Sequence, residues 1–313
     1  MEHILIIQTR PGIGDLCIFL SSIHQIAKKN PNSKVTLVTK KRTKADEILK
    51  YDNFINNIIF LEPDIYKNKK NFLSNFISLK NFILKERFTK VFIMHYGIRY
   101  RIICKLAGIK KIFNYPIIKK NENISYKIYD ETKKWLNLDS FNRNAVININ
   151  KSNNIEYNKK KIVIGIGSSG PTRRWDNKRF INVINFLNEK NDFKFLLAAG
   201  KNEEVDANQI TSSLSKKVNI ESMCNDTISQ AMVKIKDSYF YFGTDSAFMH
   251  LCAALNIKSF ALFGDTPINY AEYSDYIFPI TPENYKNIGH NSNAMHLIND
   301  NYVCKILEKY LKK

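Results

Sequence analysis

The chain has no C-x-x-C pair: its five cysteines (Cys17, Cys104, Cys224, Cys252, Cys304) stand far apart and are odd in number. That argues against a disulfide framework or a zinc ribbon and fits a reducing cytoplasm. No H-E-x-x-H or other metal-ligand spacing occurs, so no metal is expected, and His290 and His296 read as incidental. No apolar run approaches a membrane span, and the opening MEHILIIQTR is too short for a signal-peptide core. A cytoplasmic protein is expected, soluble or at most peripheral to a membrane. There is no long basic block or arginine-rich stripe, which argues against a nucleic-acid partner. No short internal repeat is visible.

What is present is an ordinary globular composition of 313 residues, enough for two domains, with 44% hydrophobic and 12% aromatic residues. The formal net charge is +19. Its lysines are dispersed in short clusters such as Lys67–Lys70 and Lys159–Lys161, and Lys, Asn and Ile are abundant throughout, as in products of AT-rich genomes. Weak surface attraction to anions is a by-product of that composition.

Apolar runs and helical periodicities alternate along the chain. Strands are expected at His3–Gln8, Lys34–Thr39, Asn57–Leu61, Lys90–His95 and Lys111–Asn114, with helices between them, one of them over Lys44–Tyr51. After a helix at Ile124–Leu136 comes the polar stretch NINKSNNIEYNKKK, which has the composition of a linker. The alternation then restarts at Lys161–Gly165 and continues through strands at Lys194–Ala199, Lys217–Ile220, Tyr239–Phe242 and Ser259–Phe263. The expected division is an N-terminal domain over 1–150, a linker over 151–160, a C-terminal domain over 161–295 and a final helical tail over 296–313. Both halves read as Rossmann-like α/β domains with parallel sheets, the cleft between them being the natural site.

Three polar turns follow strands. The first is Pro11-Gly12-Ile13-Gly14-Asp15, where Gly12 and Gly14 allow close backbone approach to a ligand and Asp15 falls at the helix start. An aspartate there also serves as a plain cap. The second is Gly165-Ile166-Gly167-Ser168-Ser169-Gly170, then Pro171-Thr172-Arg173-Arg174-Trp175. Its literal G-x-G-x-x-G fails as a dinucleotide fingerprint, because Pro171 to Trp175 intervene before a helix whose N-cap is Asp176. Ser168, Ser169, Thr172 and Arg173 instead suggest a phosphate-binding loop, and the bland reading is a glycine-rich surface loop with solvated arginines. The third is Gly243-Thr244-Asp245-Ser246, with His250 one helical turn on. It places polar residues at the carboxyl end of a strand and at a helix N-terminus, where anions bind, although capping by Asp245 or Ser246 is an equal alternative.

Taken in order, strand–GIGD–helix, strand–GSSG…RRW–helix and GTDSAFMHLCAALNIKSFALFGDT resemble glycosyltransferase family 9, the ADP-heptose:lipopolysaccharide heptosyltransferases and their relatives, over nearly the whole chain. The family pattern D-[ST]-G-x-x-H-x-A-A-A, with a strand ending F-G-x-T, is met by Asp245, Ser246, His250, Ala253, Ala254, Phe263, Gly264 and Thr266. His95–Tyr115 and the tail MHLINDNYVCKILEKYL also look like family segments. The resemblance implies a GT-B fold, an inverting transfer from a nucleotide-diphosphate sugar, and no cofactor beyond that co-substrate. Asp15 matches the family's proposed general base. The donor would be met by Ser168, Ser169, Thr172, Arg173, Thr244, Asp245, Ser246 and His250, and the acceptor would be a glycolipid or surface glycan, such as a lipopolysaccharide-core intermediate, reached by peripheral contact at the inner membrane face. Two positions depart from the pattern: Ala247 stands for the family glycine and Asp265 for a proline, setting a carboxylate near a site for phosphate. A sugar-nucleotide epimerase or phosphorylase, and a non-catalytic nucleotide- or glycan-binding protein on the same fold, are the competing readings.

Overall fold

The computed structural model describes residues 1–61, 69–116, 123–149, 158–168, 170–285 and 287–312. The chain divides into two compact units, Met1–Asn148 and Ile149–Lys313.

The first unit is built on five parallel strands in the order β3-β2-β1-β4-β5. They are β1 (Glu2–Ile7), β2 (Ser33–Lys40), β3 (Asn57–Leu61), β4 (Lys90–Ile93) and β5 (Lys111–Asn114). In register, Ile4 faces Val35 on one side and Lys90 on the other. Ile4 to Ile7 have no solvent exposure, as an uninterrupted apolar run in a sheet covered on both faces demands. The helices are α1 (Ile13–Lys29), α2 (Ala45–Ile48), α3 (Lys69–Glu86), α4 (Ile98–Leu106) and α5 (Ile124–Leu136). One apolar layer joins Leu5, Ile7 and Ile93 of the sheet to Ile83 of α3 and Ile103 of α4. The helix expected over Lys44–Tyr51 is reduced to one turn. Lys44 takes a left-handed φ of 54°, which separates a short 3-10 turn from α2.

The second unit carries six parallel strands in the order β11-β10-β9-β6-β7-β8. They are β6 (Asn158–Gly165), β7 (Lys194–Ala198), β8 (Asn219–Ser222), β9 (Ser238–Thr244), β10 (Lys258–Leu262) and β11 (Ile277–Ile280). Its helices are α6 (Asn177–Lys190), α7 (Glu204–Ser213), α8 (Ile228–Ile235), α9 (Ala247–Ala254) and α10 (Asp300–Leu311). Trp175, Phe180, Phe195, Phe240 and Phe242 fill the core beneath α6 and α10.

Several boundaries differ from the sequence reading. Strand β8 starts two residues late because Val218 closes a turn onto Ser215. Strand β9 runs on to Thr244, and α9 ends at Ala254, two residues before Asn256 takes a left-handed φ of 61°. Strand β11 was not expected at all: it is a short edge strand containing Pro279, and prolines are confined to such edges. Most of the expected linker lies outside the described residues, and β6 begins at Asn158.

Both strand orders reverse direction beside the first strand of their unit, between β1 and β4 and between β6 and β9. Ligands of open α/β sheets bind at the carboxyl ends of the strands at such switch points. Among the described residues no helix is long and apolar enough to cross a membrane.

Candidate active site

In the first unit the switch-point rim is formed by the loops after β1 and β4. Gly12 is the N-cap of α1 and Asp15 its third residue, so Asp15 is not itself the cap. Its Oδ2 accepts the Gly12 N–H at 3.0 Å, and its Oδ1 faces Arg10 Nη1 at 3.3 Å. A Cβ on Gly12 would stand 2.9 Å from that Oδ2, so this closure needs glycine. Gly14 lies within the first turn of α1. The Asp15 side chain stays 21% exposed, and each oxygen accepts a single bond, leaving lone pairs for a proton.

Beside this rim is a cavity of about 230 Å³ lined by Arg10, Lys40, His95, Tyr96, Arg99 and Tyr115, among others. Three of these are permanent cations. His95 is held below the usual histidine range, first by burial and then by the charges of Arg99, Arg10 and Lys40. Its Nδ1 accepts the Gly97 N–H at 2.8 Å, so the neutral ring carries its proton on Nε2. A Cβ at Gly97 would lie 2.7 Å from the imidazole, so the glycine makes room for this fold-back. Sequence reasoning missed the pocket, because strands β2, β1 and β4 bring its cations together from distant parts of the chain.

The second unit's rim is formed by the loops after β6 and β9. Thr244 is fully buried and donates its hydroxyl to the Gly167 carbonyl, joining the two loops. Tyr241, also fully buried, donates to the Thr244 carbonyl at 2.7 Å and meets Ser246 Oγ at 3.2 Å. A Cβ on Gly165 would stand 2.0 Å from the Tyr241 hydroxyl, so the tyrosine crosses the sheet only where glycine allows it. Ser246 is the N-cap of α9 but makes no side-chain cap bond. Asp245 faces His250 instead, with His250 Nε2 at 3.7 Å from its Oδ1 and His250 Nδ1 at 2.8 Å from the hydroxyl of the buried Tyr273. Tyr273 carried no sequence signal.

The glycine-rich loop behaves as its interruption by Pro171 foretold. Pro171–Arg173 form a 3-10 turn, and α6 opens only after Asp176, whose carboxylate accepts the Lys178 N–H at 2.7 Å. Ser169 lies outside the described residues. Ser168 turns its hydroxyl onto the Gly170 carbonyl at 2.8 Å, and Arg173 Nη2 lies 3.5 Å from Nδ1 of His290, which therefore borders the loop.

Asp265 is the position expected to set a carboxylate near a site for phosphate, and in the fold that carboxylate is turned inward. It is 4% exposed, one oxygen accepts the Thr172 hydroxyl at 2.6 Å, and the other accepts the Asn293 N–H at 2.8 Å. Burial raises its pKa, but these two bonds and the charges of Arg173 and His290 outweigh it and leave it below the usual carboxylate range. Gly264 supports the same junction: Ala294 N–H donates to its carbonyl at 2.8 Å, and a Cβ there would lie 2.5 Å from Met295 N. Among the described residues no cluster of His, Cys, Asp or Glu could hold a metal ion.

Two parallel sheets with these strand orders, each with a polar switch-point rim, are the two Rossmann-like units of the GT-B fold, and the comparisons agree. The structure is similar to a family 9 glycosyltransferase from Veillonella parvula, with a TM-score of 0.80, 16% identity, and coverage of 99% of this chain and 97% of that one. It is also similar to the Escherichia coli ADP-heptose LPS heptosyltransferase II, with a TM-score of 0.74, 15% identity, and coverage of 99% and 98%. A curated relative, lipooligosaccharide heptosyltransferase 2 of Campylobacter jejuni, is 22% identical over 240 residues, which cover 72% of this chain and 74% of the relative. The model of glycosyltransferase family 9 (heptosyltransferase) matches residues 98–303, and the chain belongs to that family.

Proposed function

We propose that the protein transfers a heptose from ADP-heptose, with inversion, to a hydroxyl of a lipopolysaccharide- or lipooligosaccharide-core saccharide, with Asp15 as general base. The acceptor oxygen bonds to the anomeric carbon as the bond from that carbon to the diphosphate breaks. The acceptor proton passes to the Asp15 carboxylate, and ADP leaves with the bonding pair.

The observation that carries this reading is the state of Asp15. It is a partly exposed carboxylate at the carboxyl end of the first strand, fixed by Gly12 and Arg10 with lone pairs to spare. The cationic cavity beside it suits an acceptor that bears acidic groups. On the donor side, Arg173 and the N-terminus of α9, whose first N–H groups lack a side-chain cap, suit a diphosphate. Thr172, Thr244 and Ser168 act mainly by shaping the loops, since their hydroxyl protons are spent within the protein. The sugar and nucleotide follow the relatives, one of which is an ADP-heptose LPS heptosyltransferase.

A thermal-shift panel of ADP-heptose with GDP-, UDP- and dTDP-sugars tests the donor. A ligand of the native state raises the midpoint with the logarithm of its concentration over its dissociation constant. ADP-heptose is expected to give the largest shift. A larger shift with another nucleotide would overturn the donor assignment, and no shift with any would overturn the donor site.

A further inference from the structure

A second cavity, of about 480 Å³, lies in the second unit on the α10 side of the sheet. Tyr239, Phe260, Phe278, Ile306 and Tyr310 wall it, and Lys258 and Lys309 sit at its rim. Tyr239 and Lys258 stand at the beginnings of β9 and β10, so the groove opens at the end of the sheet opposite the switch-point loops. Its volume falls in the range of small-ligand sites.

The groove is built for a particular chemistry. Phe278 stacks on Phe260 with centroids 5.4 Å apart, and Tyr310 packs on Tyr239 at 5.4 Å and on Phe260 at 4.9 Å. The rings are spent on one another, so the wall offers a continuous apolar surface, which suits an aliphatic chain better than a flat base. Phe278, on the edge strand, remains 39% exposed. Lys258 Nζ lies 4.9 Å from the centre of the Tyr310 ring, and among the described residues no carboxylate pairs with it or with Lys309. Lys305, one helical turn before Lys309, is exposed as well. An apolar trough with two uncompensated ammonium groups at its mouth complements an apolar chain with an anionic head. The +19 net charge draws the whole molecule toward such surfaces.

We propose that this groove docks the protein on an anionic bilayer: one phospholipid lays its acyl chain along the aromatic wall, and its phosphate is met by Lys258 and Lys309. The inference is independent of the transfer reaction, since it uses a different face of the second unit.

Flotation with large vesicles tests it. Vesicles of phosphatidylglycerol and phosphatidylcholine are compared with vesicles of phosphatidylcholine alone. The intact chain is expected to float with the first and not the second. K258E/K309E is expected to lower the partition coefficient at least about thirtyfold, on the scale of surface-lysine contributions to anionic-lipid binding. F278S, which keeps every charge, is expected to lower it several-fold. K216E/K217E makes the same charge change at exposed positions before β8, at the other edge of the sheet, and is expected to bind within about twofold of the parent. Thermal melts of the four proteins check that the fold is kept. Three results would overturn the proposal: no flotation of the parent, equal losses in the two lysine pairs, or a thermal shift by micelle-free dodecyl phosphate with no vesicle binding.

Discussion

At the switch point of the first unit the charged side chains stay within reach of solvent; at that of the second, Arg173 apart, the polar side chains that fix the loops are buried. Asp15 and Arg10 have side chains 21% and 37% exposed, and the cavity beside them gathers Lys40 and Arg99. In the second unit Asp265 is 4% exposed and His250 6%, and Thr244 and Tyr241 have no exposure at all. The two rims share a strand topology and differ in what fixes their loops. The first rim is held by a local closure, Gly12 N–H to Asp15, and leaves Asp15 and Arg10 partly exposed. The second is held by side chains reaching across loops that are distant in sequence. On the function proposed above, that difference suits a first rim that takes a proton and a second that presents backbone and charge in a fixed geometry to a diphosphate.

The comparison can be broken from either side. The largest effect on stability is expected from D265A, which leaves the Thr172 hydroxyl and the Asn293 N–H without their buried acceptor. Losing two such bonds to a charged group costs about 3 kcal/mol. Urea unfolding should show it as a lower midpoint at unchanged slope, with a raised KM for the donor. The same carboxylate links stability to pH. Its folded pKa lies below the ordinary value of 3.8, so its contribution is complete above that value and is lost as pH falls through the lower, folded one. D265N should therefore flatten the acid limb of the stability profile. If D265A melted like the parent, the buried rim would not be a scaffold.

R173A comes next. The loss of a charged hydrogen-bond donor to phosphate should raise the donor KM about 10- to 100-fold, with the melting temperature little changed. Arg173 Nη2 lies 3.5 Å from His290 Nδ1 at the edge of the loop, and a large loss of stability would assign it to structure instead.

The smallest effect is expected from G97A. The added methyl would meet the His95 ring at 2.7 Å and push it out of its fold-back. Steady-state kinetics should show a several-fold rise in the acceptor KM, with the donor KM unchanged, a modest cost on the scale of one weakened hydrogen bond. A change in the donor KM would tie the first rim to the wrong substrate.

How far the sequence disclosed this arrangement follows the same contrast. The loop Pro11–Asp15 was legible because every determinant is local: an uninterrupted apolar strand, a glycine turn and an acid three residues into a helix. Asp176 as the cap of α6 was legible for the same reason. The partnership of Thr172 with Asp265 spans 93 residues, so only the fold reveals which hydroxyl the carboxylate holds. Asp245 reads from local sequence as a possible cap, yet it faces His250, and His250 is held by Tyr273, 23 residues on. The cationic cavity was hidden because Arg10, Lys40 and Arg99 follow or lie beyond three strands that become neighbours only in the order β2-β1-β4. Strand β11 escaped because Pro279 speaks against a strand unless its edge position is known.

The central claim is that Asp15 takes the acceptor proton, and D15N tests it most directly. Asparagine keeps an oxygen for the Gly12 N–H, so the closure at the start of α1 survives while the base is lost. Donor binding, read by thermal shift, and transfer from ADP-heptose should be measured on one preparation. The expected result is a donor shift equal to the parent's, with kcat lower by about 10²- to 10⁴-fold. Undiminished transfer by D15N would contradict the assignment.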